Sequence, residues 1–567
     1  MIALLSATVA YDNGRGRTPP MGWNSWCTGE RAGTQSLCNA FGADPCTETM
    51  VREVADAMVS EGMVDLGYNY LSLDDCWSAK TRNASGHLQP DPKQFPNGMA
   101  AVADYVHARN LSFGLYTCVG TKTCKGDRPG SFGNYELDAQ TLASWGVDLV
   151  KMDHCGYPGG NHTDQELYGE MSRALNATGR SILFSLCSWG TANVWEWGGD
   201  VAQMARIQQD HLPLWYFPQK QSGQGGYGSG TANIIEWMAD LVPSKWTKQF
   251  GWLDPDFLMT LFSPTMNYVN SRTEYSFWAL WSAPLLVSTD VRKMSDEKRA
   301  ILKNKEVIAI DQDASNTAGD RVRKDDSGGQ LWARPLAGGD KAAIVYNAGK
   351  GLRPKDIDVA VTWAELGWPA DAKVRVRDLW QQQDVGEFVG GWNATAIAPH
   401  DVRFVRLSLV SDATSLATGA STRFPAPPGG ANGGGISVSL LPFLPVDQNI
   451  TLSLQSSALL YGTWSTPPQS ALYPVWSKTG TSLQGFRAEG APYVDANVTY
   501  AWTDAGGSQH QLSLAFQSGP GGYFVHTEWY VPGFEATTLG VMIGPDFALS
   551  VIYAAGDSPP LPCPPKE

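Results

Sequence analysis

The sequence predicts an α/β protein in which a (β/α)8 TIM barrel is followed by an antiparallel β-sandwich and an additional C-terminal β-rich domain. The chain has 567 residues, which exceeds the roughly 50–250 residues usual for one domain. Short apolar runs alternate with amphipathic segments as far as residue 320. Short strand patterns separated by turn residues replace this alternation afterwards, which indicates a change from an α/β to an all-β architecture.

The predicted barrel covers 18–320. Its buried strands are the apolar runs at 70–73, 113–117, 148–152 and 182–186. Between them, apolar side chains recur at helical spacing in 48–61, 101–109 and 139–145. This alternation implies a parallel sheet, either a closed (β/α)8 barrel or an open doubly wound sheet. The glycine cluster at 225–230 follows no strand pattern, which disfavours an open sheet that binds a nucleotide.

The rest of the chain is predicted to be β-rich. Strands at 331–334, 342–347, 373–378 and 402–407, parted by Gly, Asp and Pro, predict a sandwich over 321–410. Residues 411–435 are rich in Ser, Thr, Pro, Ala and Gly and predict a linker. A β-rich domain of unknown role follows at 436–557, and a Pro-rich tail at 558–567. Trp464 or Trp529 would suit a carbohydrate-binding module, although such Trp residues more often fill a core.

The composition excludes several kinds of partner. The net charge of −14 leaves no basic face for nucleic acid or for an anionic membrane. The longest uncharged apolar stretch, 275–288, is shorter than the roughly 20 residues that cross a bilayer, so no membrane span is predicted. The 22 Trp, 20 Tyr and 19 Phe suit stacking against sugar rings, but they also fill large cores.

Several features predict an N-glycosylated protein that is secreted or belongs to an extracellular or lysosome-like compartment. The N-terminal segment, 1–17, starts with an apolar stretch that ends in small residues, like the last part of a signal peptide, but it lacks a positively charged start. The nine cysteines form no CxxC pair and no Cys/His cluster at zinc spacing, so disulfides are expected rather than a metal site. Asn-x-Ser/Thr sequons occur at Asn83, Asn110, Asn161, Asn176, Asn393, Asn449 and Asn497.

Polar and aromatic side chains stand where the predicted strands end, which is where barrel enzymes place their chemistry. These residues are Trp26, Asp74, Asp75, Tyr116, Lys151, Asp153 and Ser188. Carboxylates and a cation that can hydrogen-bond hydroxyl groups, with aromatic rings beside them, suit a pocket for a polyhydroxylated sugar. Each Asp taken singly also fits the alternative role of capping the following helix.

Two of these residues suggest a nucleophile. Lys151 and Asp153 are two residues apart on one strand, so their side chains point to the same side. The Lys151 charge is expected to lower the pKa of the Asp153 carboxyl and keep it ionised, and a simple ion pair is the alternative. Glycoside hydrolysis needs a second carboxyl. The best candidate is Asp210, with which Asp200, Asp254 and Asp256 compete.

Seven motifs, taken together in this order, resemble the α-galactosidase / α-N-acetylgalactosaminidase family (glycoside hydrolase family 27). They are TPPMGWNSW at 18–26, YLSLDDCW at 70–77, LVKMDHC at 149–155, SLCSWG at 185–190, WLDPDF at 252–257, SAPLLVSTDVRKM at 282–294 and NKEVIAIDQD at 304–313. No single motif would be specific, but the ordered set is. The β domain after Lys324 is similar to the family's C-terminal sandwich.

The resemblance implies a retaining exo-glycosidase that removes terminal α-linked galactose or a 2-substituted galactose. Asp153 matches the family's nucleophile, and Asp210 matches its acid/base in an Arg-x-x-x-Asp element that begins at Arg206. The positions that match sugar contacts are Trp26, Asp74, Asp75, Tyr116, Lys151, Arg206 and Asp256.

The resemblance also implies three disulfides and a class of partner. The implied pairs are Cys124–Cys155, Cys46–Cys76 and Cys27–Cys38. The partner is an oligosaccharide or glycoconjugate that ends in α-galactose or α-N-acetylgalactosamine. No metal and no organic cofactor is expected.

The chain departs from the family pattern around the sugar. Ser188 stands where α-galactosidases usually carry Glu and α-N-acetylgalactosaminidases carry Ser, and Ala192 is small where a large aromatic residue is often found. An α-N-acetylgalactosaminidase is therefore an alternative. The Asp74–Asp75 pair suits a sugar with a C6 hydroxyl and disfavours a third member of the family, a β-L-arabinopyranosidase.

Other departures lie close to the second carboxyl. Ala205 and His211 replace the Trp and Ile that usually flank the Arg-x-x-x-Asp element, Leu253 replaces an Asn, and Cys118 replaces an Asp. These changes keep a rival open, namely a non-catalytic glycan-binding or structural protein on a decayed glycosidase barrel. The retained acidic residues oppose it.

Overall fold

The computed structural model describes residues 12–28, 46–217, 229–349 and 354–410, and beyond 410 it describes the backbone of several strands. The chain divides into two compact units, Met1–Val410 and Ser411–Glu567. The first unit contains a parallel sheet with its helices and then antiparallel sheets, and the second is built of antiparallel strands.

Eight parallel strands form the first sheet. They are β1 (Met21–Asn24), β2 (Tyr70–Ser72), β3 (Ser112–Cys118), β4 (Leu149–Asp153), β5 (Leu183–Cys187), β6 (Met204–Arg206), β7 (Trp252–Asp254) and β8 (Leu285–Val287). Their order is β7-β6-β5-β4-β3-β2-β1-β8. A parallel bridge joins Leu258, just after β7, to Val287 of β8, and the Leu258 N–H donates to the Leu286 carbonyl at 2.9 Å. The circle is thereby closed, and the predicted barrel is confirmed.

Helices alternate with these strands. They are α1 (Glu48–Ser60), α2 (Gly98–His107), α3 (Tyr135–Ser144), α4 (Asp164–Ala177), α5 (Val194–Trp197), α6 (Thr231–Leu241), α7 (Tyr268–Leu280), α8 (Asp296–Leu302) and α9 (Lys305–Asp311). A capping box stabilises the start of α4: the Thr163 hydroxyl accepts a hydrogen bond from the Glu166 N–H, and the Glu166 carboxylate accepts one from the Thr163 N–H. The apolar stripe of α1, which includes Val51 and Val54, is buried.

The strand register aligns the carboxyl ends of the barrel strands. Cys118 of β3, Asp153 of β4 and Cys187 of β5 lie side by side, and Arg206 of β6 lies beside Asp254 of β7. Because neighbouring strands are only about 5 Å apart, this register collects the side chains of distant sequence segments at one end of the barrel.

Antiparallel strands follow the barrel. They are β9 (Asp320–Lys324), β10 (Gly329–Pro335), β11 (Lys341–Asn347), β12 (Ile357–Thr362), β13 (Lys373–Asp378), β14 (Gln383–Val389), β15 (Gly391–Ile397) and β16 (Val402–Leu409). Six of them form a sheet in the order β14-β13-β16-β11-β10-β9, and β12 pairs with β15. Buried side chains of both sheets, among them Val345, Val361 and Trp363, share one core, as a sandwich requires.

The sandwich packs on the barrel through α7 and α9. The buried Arg334 guanidinium donates to the carbonyls of Ile310 at 2.6 Å and Ala279 at 3.2 Å, and Arg272 pairs with Asp401. The apolar stretch 275–288 falls in α7 and β8, inside this core. Among the helices that the structure describes, none has both the length and the apolar character needed to cross a membrane.

The second unit is made of antiparallel strands. They are β17 (Thr422–Arg423), β18 (Ser437–Val438), β19 (Leu472–Lys478), β20 (Ser482–Ala488), β21 (Val494–Thr503), β22 (Gln509–Gly519), β23 (Gly522–Tyr530), β24 (Thr537–Ile543) and β25 (Leu549–Ile552). The last seven pair in sequence order, so this region is β-rich as predicted. Trp464, Asn449 and the side chains of Trp529 and Asn497 lie outside the described residues.

Candidate active site

Most of the predicted site residues lie at the carboxyl end of the barrel. Those that are buried there are Asp74, Asp75, Tyr116, Lys151, Asp153, Ser188, Arg206 and Asp256. Trp26 is partly buried, and the Asp210 side chain is 38% exposed. The N-cap residues of the helices after β2 and β4 are Asn97 and Thr163. The carboxylates at the ends of these two strands are therefore not helix caps.

Asp153 ends β4 and is held on both carboxylate oxygens. Its Oδ2 accepts a hydrogen bond from the Tyr116 hydroxyl at 3.0 Å, and its Oδ1 accepts from the His154 N–H at 2.8 Å. Burial and the nearby Asp153 charge raise the pKa of Tyr116 well above its usual value, so the phenol keeps its proton and remains a donor. These contacts fix the orientation of the Asp153 carboxylate.

The expectation of a lowered pKa for Asp153 is wrong. Burial raises the pKa of this carboxyl to about 6; Lys151 opposes the rise, while the charges of Asp210 and Asp74 add to it. Desolvation disfavours the charged form more than one lysine restores it. The carboxylate is therefore largely ionised at neutral pH but becomes protonated in moderate acid.

Lys151 pairs with Asp74 rather than with Asp153. Its Nζ lies 2.8 Å from Asp74 Oδ2, and the two side chains are only 10% and 3% exposed. The ammonium also lies 4.6 Å from the centre of the Phe257 ring and 5.9 Å from that of Trp26, distances at which a cation is attracted to a ring face. A cation, a carboxylate and aromatic rings thus meet at one point, as a sugar pocket needs.

The Asp75 side chain has a different hydrogen-bond partner from that of the adjacent Asp74. Its Oδ2 accepts from the Lys125 N–H at 3.0 Å, so it ties the segment after β3 to the end of β2. Burial raises the pKa of the Asp75 carboxyl. The two adjacent carboxylates therefore have different partners.

Arg206 links two acidic residues, Asp210 and Asp256, around the end of β6. Its Nη2 lies 3.0 Å from Asp210 Oδ1 and 2.9 Å from Asp256 Oδ2, and Nη1 lies 3.4 Å from the Cys187 sulfur. Asp254 is buried beneath them, and its Oδ1 accepts from the Asp256 N–H at 2.8 Å. The guanidinium therefore holds Asp210 at this end of the barrel with a charge-assisted hydrogen bond.

The competing carboxyls have other partners. Asp200 forms an ion pair with Lys248 at 3.1 Å. Burial raises the pKa of Asp254 to about 6, but its side chain is covered. Among the four candidates, Asp210 is the partly exposed one whose charge acts on Asp153. A buried carboxylate and a more exposed carboxyl close enough to act on its charge are the two groups that retaining glycoside hydrolysis needs.

Ser188 follows β5 in a strained turn. Its hydroxyl is buried, and its oxygen has no hydrogen-bond partner within the described residues. Positive φ angles, which residues other than glycine rarely adopt, follow it at Trp189 (55°), Ala192 (50°) and Asn193 (53°). The turn is nevertheless anchored, because the Gly190 N–H donates to the Arg206 carbonyl at 3.1 Å.

Two of the implied disulfides are present, Cys46–Cys76 and Cys124–Cys155. Cys27 is also disulfide-bonded, but Cys38 lies outside the described residues. The Cys124 sulfur lies 3.3 Å from Asp153 Oδ2. Because both sulfurs of the Cys124–Cys155 pair are in the disulfide, they offer no thiolate to a metal ion.

The structure adds residues that sequence reasoning missed. Phe257 contributes a ring to the Lys151 ammonium. Cys187 contacts Arg206 at the next strand end. Glu274 in α7 is fully buried, and burial raises its pKa to about 8. Glu274 directly precedes the apolar stretch 275–288, which was a usable signal for its burial, whereas Phe257 resembles any core aromatic residue.

Comparison with known proteins agrees with this geometry. A family model described as "Alpha galactosidase A" matches 18–313, and one described as "Alpha galactosidase C-terminal beta sandwich domain" matches 326–407. An α-galactosidase of Oryza sativa subsp. japonica is 36% identical over 70% of this chain and 87% of its own length. An α-N-acetylgalactosaminidase of Gallus gallus is 34% identical over 68% of this chain and 92% of its own length. The crystal structure of α-galactosidase I from Mortierella vinacea superposes with a TM-score of 0.64 at 31% identity, over 71% of this chain and all of that one.

Proposed function

The chain belongs to the α-galactosidase family that these models describe, and we propose that it is an exo-acting, retaining α-galactosidase. It removes a terminal α-linked galactose, or a 2-substituted galactose, from an oligosaccharide or glycoconjugate. One observation supports this most directly: the oriented, buried Asp153 carboxylate lies within the electrostatic reach of Asp210 at the carboxyl end of the barrel.

The proposed reaction is a double displacement. The charges of Asp153 and Asp210 act on each other, so the pair can hold a single proton, and in the reacting form this proton is on Asp210. The ionised Asp153 attacks the anomeric carbon and forms a galactosyl ester, while Asp210 gives its proton to the leaving glycosidic oxygen. Asp210, now a carboxylate, removes a proton from water, and the water oxygen attacks the anomeric carbon. The ester bond breaks, galactose leaves with its configuration retained, and both carboxyls return to their starting states.

The remaining residues bind the sugar in this proposal. Asp74 and Asp75 accept hydrogen bonds from hydroxyl groups, Lys151 and Arg206 donate to them, and Trp26 covers an apolar face of the ring. Because Lys151 and Asp74 already hold each other at 2.8 Å, their hydrogen-bonding atoms are oriented before the sugar arrives. Such preorganisation reduces the entropy lost on binding.

An Asp153→Asn variant tests the proposal. Hydrolysis of an aryl α-galactoside should be abolished while the circular dichroism spectrum is kept, because the amide cannot form the ester. The matched control is Asp200→Asn, which should retain turnover because Asp200 pairs with Lys248. Unchanged turnover in Asp153→Asn would refute the assignment, and wild-type protein that binds galactosides without turnover would favour the glycan-binding alternative.

Ser188 favours a second candidate, an α-N-acetylgalactosaminidase. A Glu at this position would bind the 2-hydroxyl of galactose, whereas the smaller Ser leaves room for an acetamido group. Its buried, unpartnered oxygen would gain a hydrogen bond from that group if the covering atoms move aside. We expect measurable turnover of an aryl α-N-acetylgalactosaminide. Turnover of the plain α-galactoside alone would count against this candidate.

Secretion and N-glycosylation are part of the proposal. Five sequon asparagines are exposed, namely Asn83, Asn110, Asn161, Asn176 and Asn393, so a glycosyltransferase can reach them. The two described disulfides also suit an oxidising compartment. Treatment of protein from a eukaryotic host with an endoglycosidase should lower its mass. An unchanged mass would argue against glycosylation.

A further inference from the structure

His211 directly follows Asp210 and occupies a different environment. The Asp210 side chain is partly exposed and is held by one described hydrogen bond, to Arg206. The His211 side chain is fully buried. Since the two residues share a peptide bond, whatever fixes His211 also restricts where the Asp210 carboxyl can move.

Three hydrogen bonds hold His211. Its backbone N–H donates to Asp256 Oδ2 at 2.8 Å. Its ring Nδ1 lies 2.9 Å from the Phe257 carbonyl, and its Nε2 lies 3.0 Å from the Thr231 hydroxyl. The ring also packs on Trp278, with the ring centres 5.4 Å apart. His211 therefore joins the segment after β6 to the segment after β7 and to the start of α6.

The partners define the protonation of the ring. The Phe257 carbonyl can only accept, so Nδ1 carries the hydrogen, and Nε2 accepts from the Thr231 hydroxyl. Burial and the Arg206 charge favour a neutral ring and lower the pKa of His211 to about 4. The Glu274 carboxyl lies 3.8 Å from Nδ1, and its raised pKa of about 8 keeps it largely protonated at neutral pH.

The same contacts reach other parts of the pocket. Asp256 Oδ2 receives both the His211 N–H and the Arg206 guanidinium, and the latter holds Asp210. Phe257, whose carbonyl accepts from His211, faces the Lys151 ammonium with its ring. An apolar side chain at 211 would leave the Phe257 carbonyl without this donor in a buried place, which is unfavourable.

We propose that His211 is a positioning residue for the acid/base step, because its ring fixes the segment that carries Asp210 to Phe257 and Thr231. The inference rests on the proposed role of Asp210. His211 does not touch the reacting atoms. It acts by holding the Asp210 carboxyl where it can protonate the leaving oxygen, and a displacement of about 1 Å is enough to slow such a step by about a hundredfold.

The dependence of the rate on the leaving group tests this role. Phenyl α-galactoside has a poor leaving group and needs a general acid, whereas 2,4-dinitrophenyl α-galactoside does not. His211→Phe keeps a ring beside Trp278 but loses both ring hydrogen bonds. We expect its kcat/KM to fall by about 10- to 100-fold on the phenyl substrate and to change little on the dinitrophenyl substrate.

Two further variants separate positioning from folding. In His211→Asn the amide nitrogen replaces Nδ1 as donor to the Phe257 carbonyl, and most of the phenyl rate should return. Thr231→Val removes one hydrogen bond only and should give a smaller, equally selective loss. If His211→Phe does not fold, Thr231→Val decides: a selective loss supports the inference, and an unchanged ratio of the two rates overturns it.

The controls keep the inference and the proposed function apart. His107→Phe removes a histidine that pairs with Asp148 at 2.7 Å, at the opposite end of the barrel, and should leave the ratio of the two rates unchanged. Asp210→Asn should show the leaving-group dependence most strongly; if it does not, the proposed acid/base fails. If Asp210→Asn is selective while His211→Phe lowers both rates equally or neither, only the role of His211 is refuted.

Discussion

Removal of the Asp210 charge should shift the acid limb of the pH–rate profile. The pKa of Asp153 is raised to about 6, and the nucleophile must be ionised to attack. In the wild type, kcat/KM should therefore fall as the pH drops through this value, since about a tenth of the carboxyl is ionised at pH 5 and about a hundredth at pH 4. Asp210 contributes to the raised pKa, so Asp210→Asn should move the limb to lower pH.

The size of this shift follows from distance and exposure. Carboxyls of a retaining pair are roughly 5–5.5 Å apart, where two charges repel by about 0.8 kcal/mol in water and about 3 kcal/mol at an effective dielectric of 20. Because the Asp210 side chain is 38% exposed, solvent screening favours the lower figure. The limb should therefore move by about half a pH unit to one pH unit.

The assay is kcat/KM on 2,4-dinitrophenyl α-galactoside across the acid limb. This substrate needs no general acid, and kcat/KM reports the free enzyme, so the limb follows the nucleophile alone. Asp200→Asn is the control and should leave the midpoint in place, since Asp200 pairs with Lys248. A wild-type limb near pH 4, the usual range of a carboxyl, together with no shift in Asp210→Asn, would refute the reasoning.

Two further predictions concern the stability contributed by buried ionisable groups. The pKa of Glu274 is raised from 4.5 to about 8 in the folded state, so between pH 4.5 and pH 8 the folded protein keeps a proton that the unfolded chain loses. The free energy of unfolding therefore falls as the pH rises through this range. Glu274→Gln should remove this loss, which is about 3 kcal/mol at pH 7. The variant's gain in thermal midpoint should be larger at pH 7 than at pH 5, and equal gains would contradict it. Lys151→Met leaves Asp74 buried without its cation and should destabilise the protein by about 3–5 kcal/mol, as measured by urea unfolding; a stability equal to that of the wild type would show that the pair is dispensable.

The position of the candidate site residues was largely foreseeable because barrel enzymes collect their functional side chains at strand ends. An apolar run followed by Asp74, or by Lys151 and Asp153, identifies such an end from a few neighbouring residues. The partners of these residues were not foreseeable. Lys151 bonds to Asp74, which lies 77 residues away, and the spacing of Lys151 and Asp153 alone suggested a different ion pair.

His211 illustrates the same limit near the second carboxyl. In the sequence it is only a departure from a family pattern. Its meaning comes from Phe257, which lies 46 residues away, and Thr231, which lies 20 residues away. Backbone carbonyls carry no sequence signal, so a side chain that donates to one cannot be recognised before the chain is folded.

The sequence by itself determined the alternation of strands and helices, the turn to β-structure after residue 320 and the identity of the acidic residues at the strand ends. These features depend on local periodicity and on residue type. The tertiary structure decided the ionisation of Asp153, the partner of Lys151 and the anchoring of the Asp210 segment. Ionisation and hydrogen bonding depend on burial and on distances between remote segments, and packing alone sets these quantities.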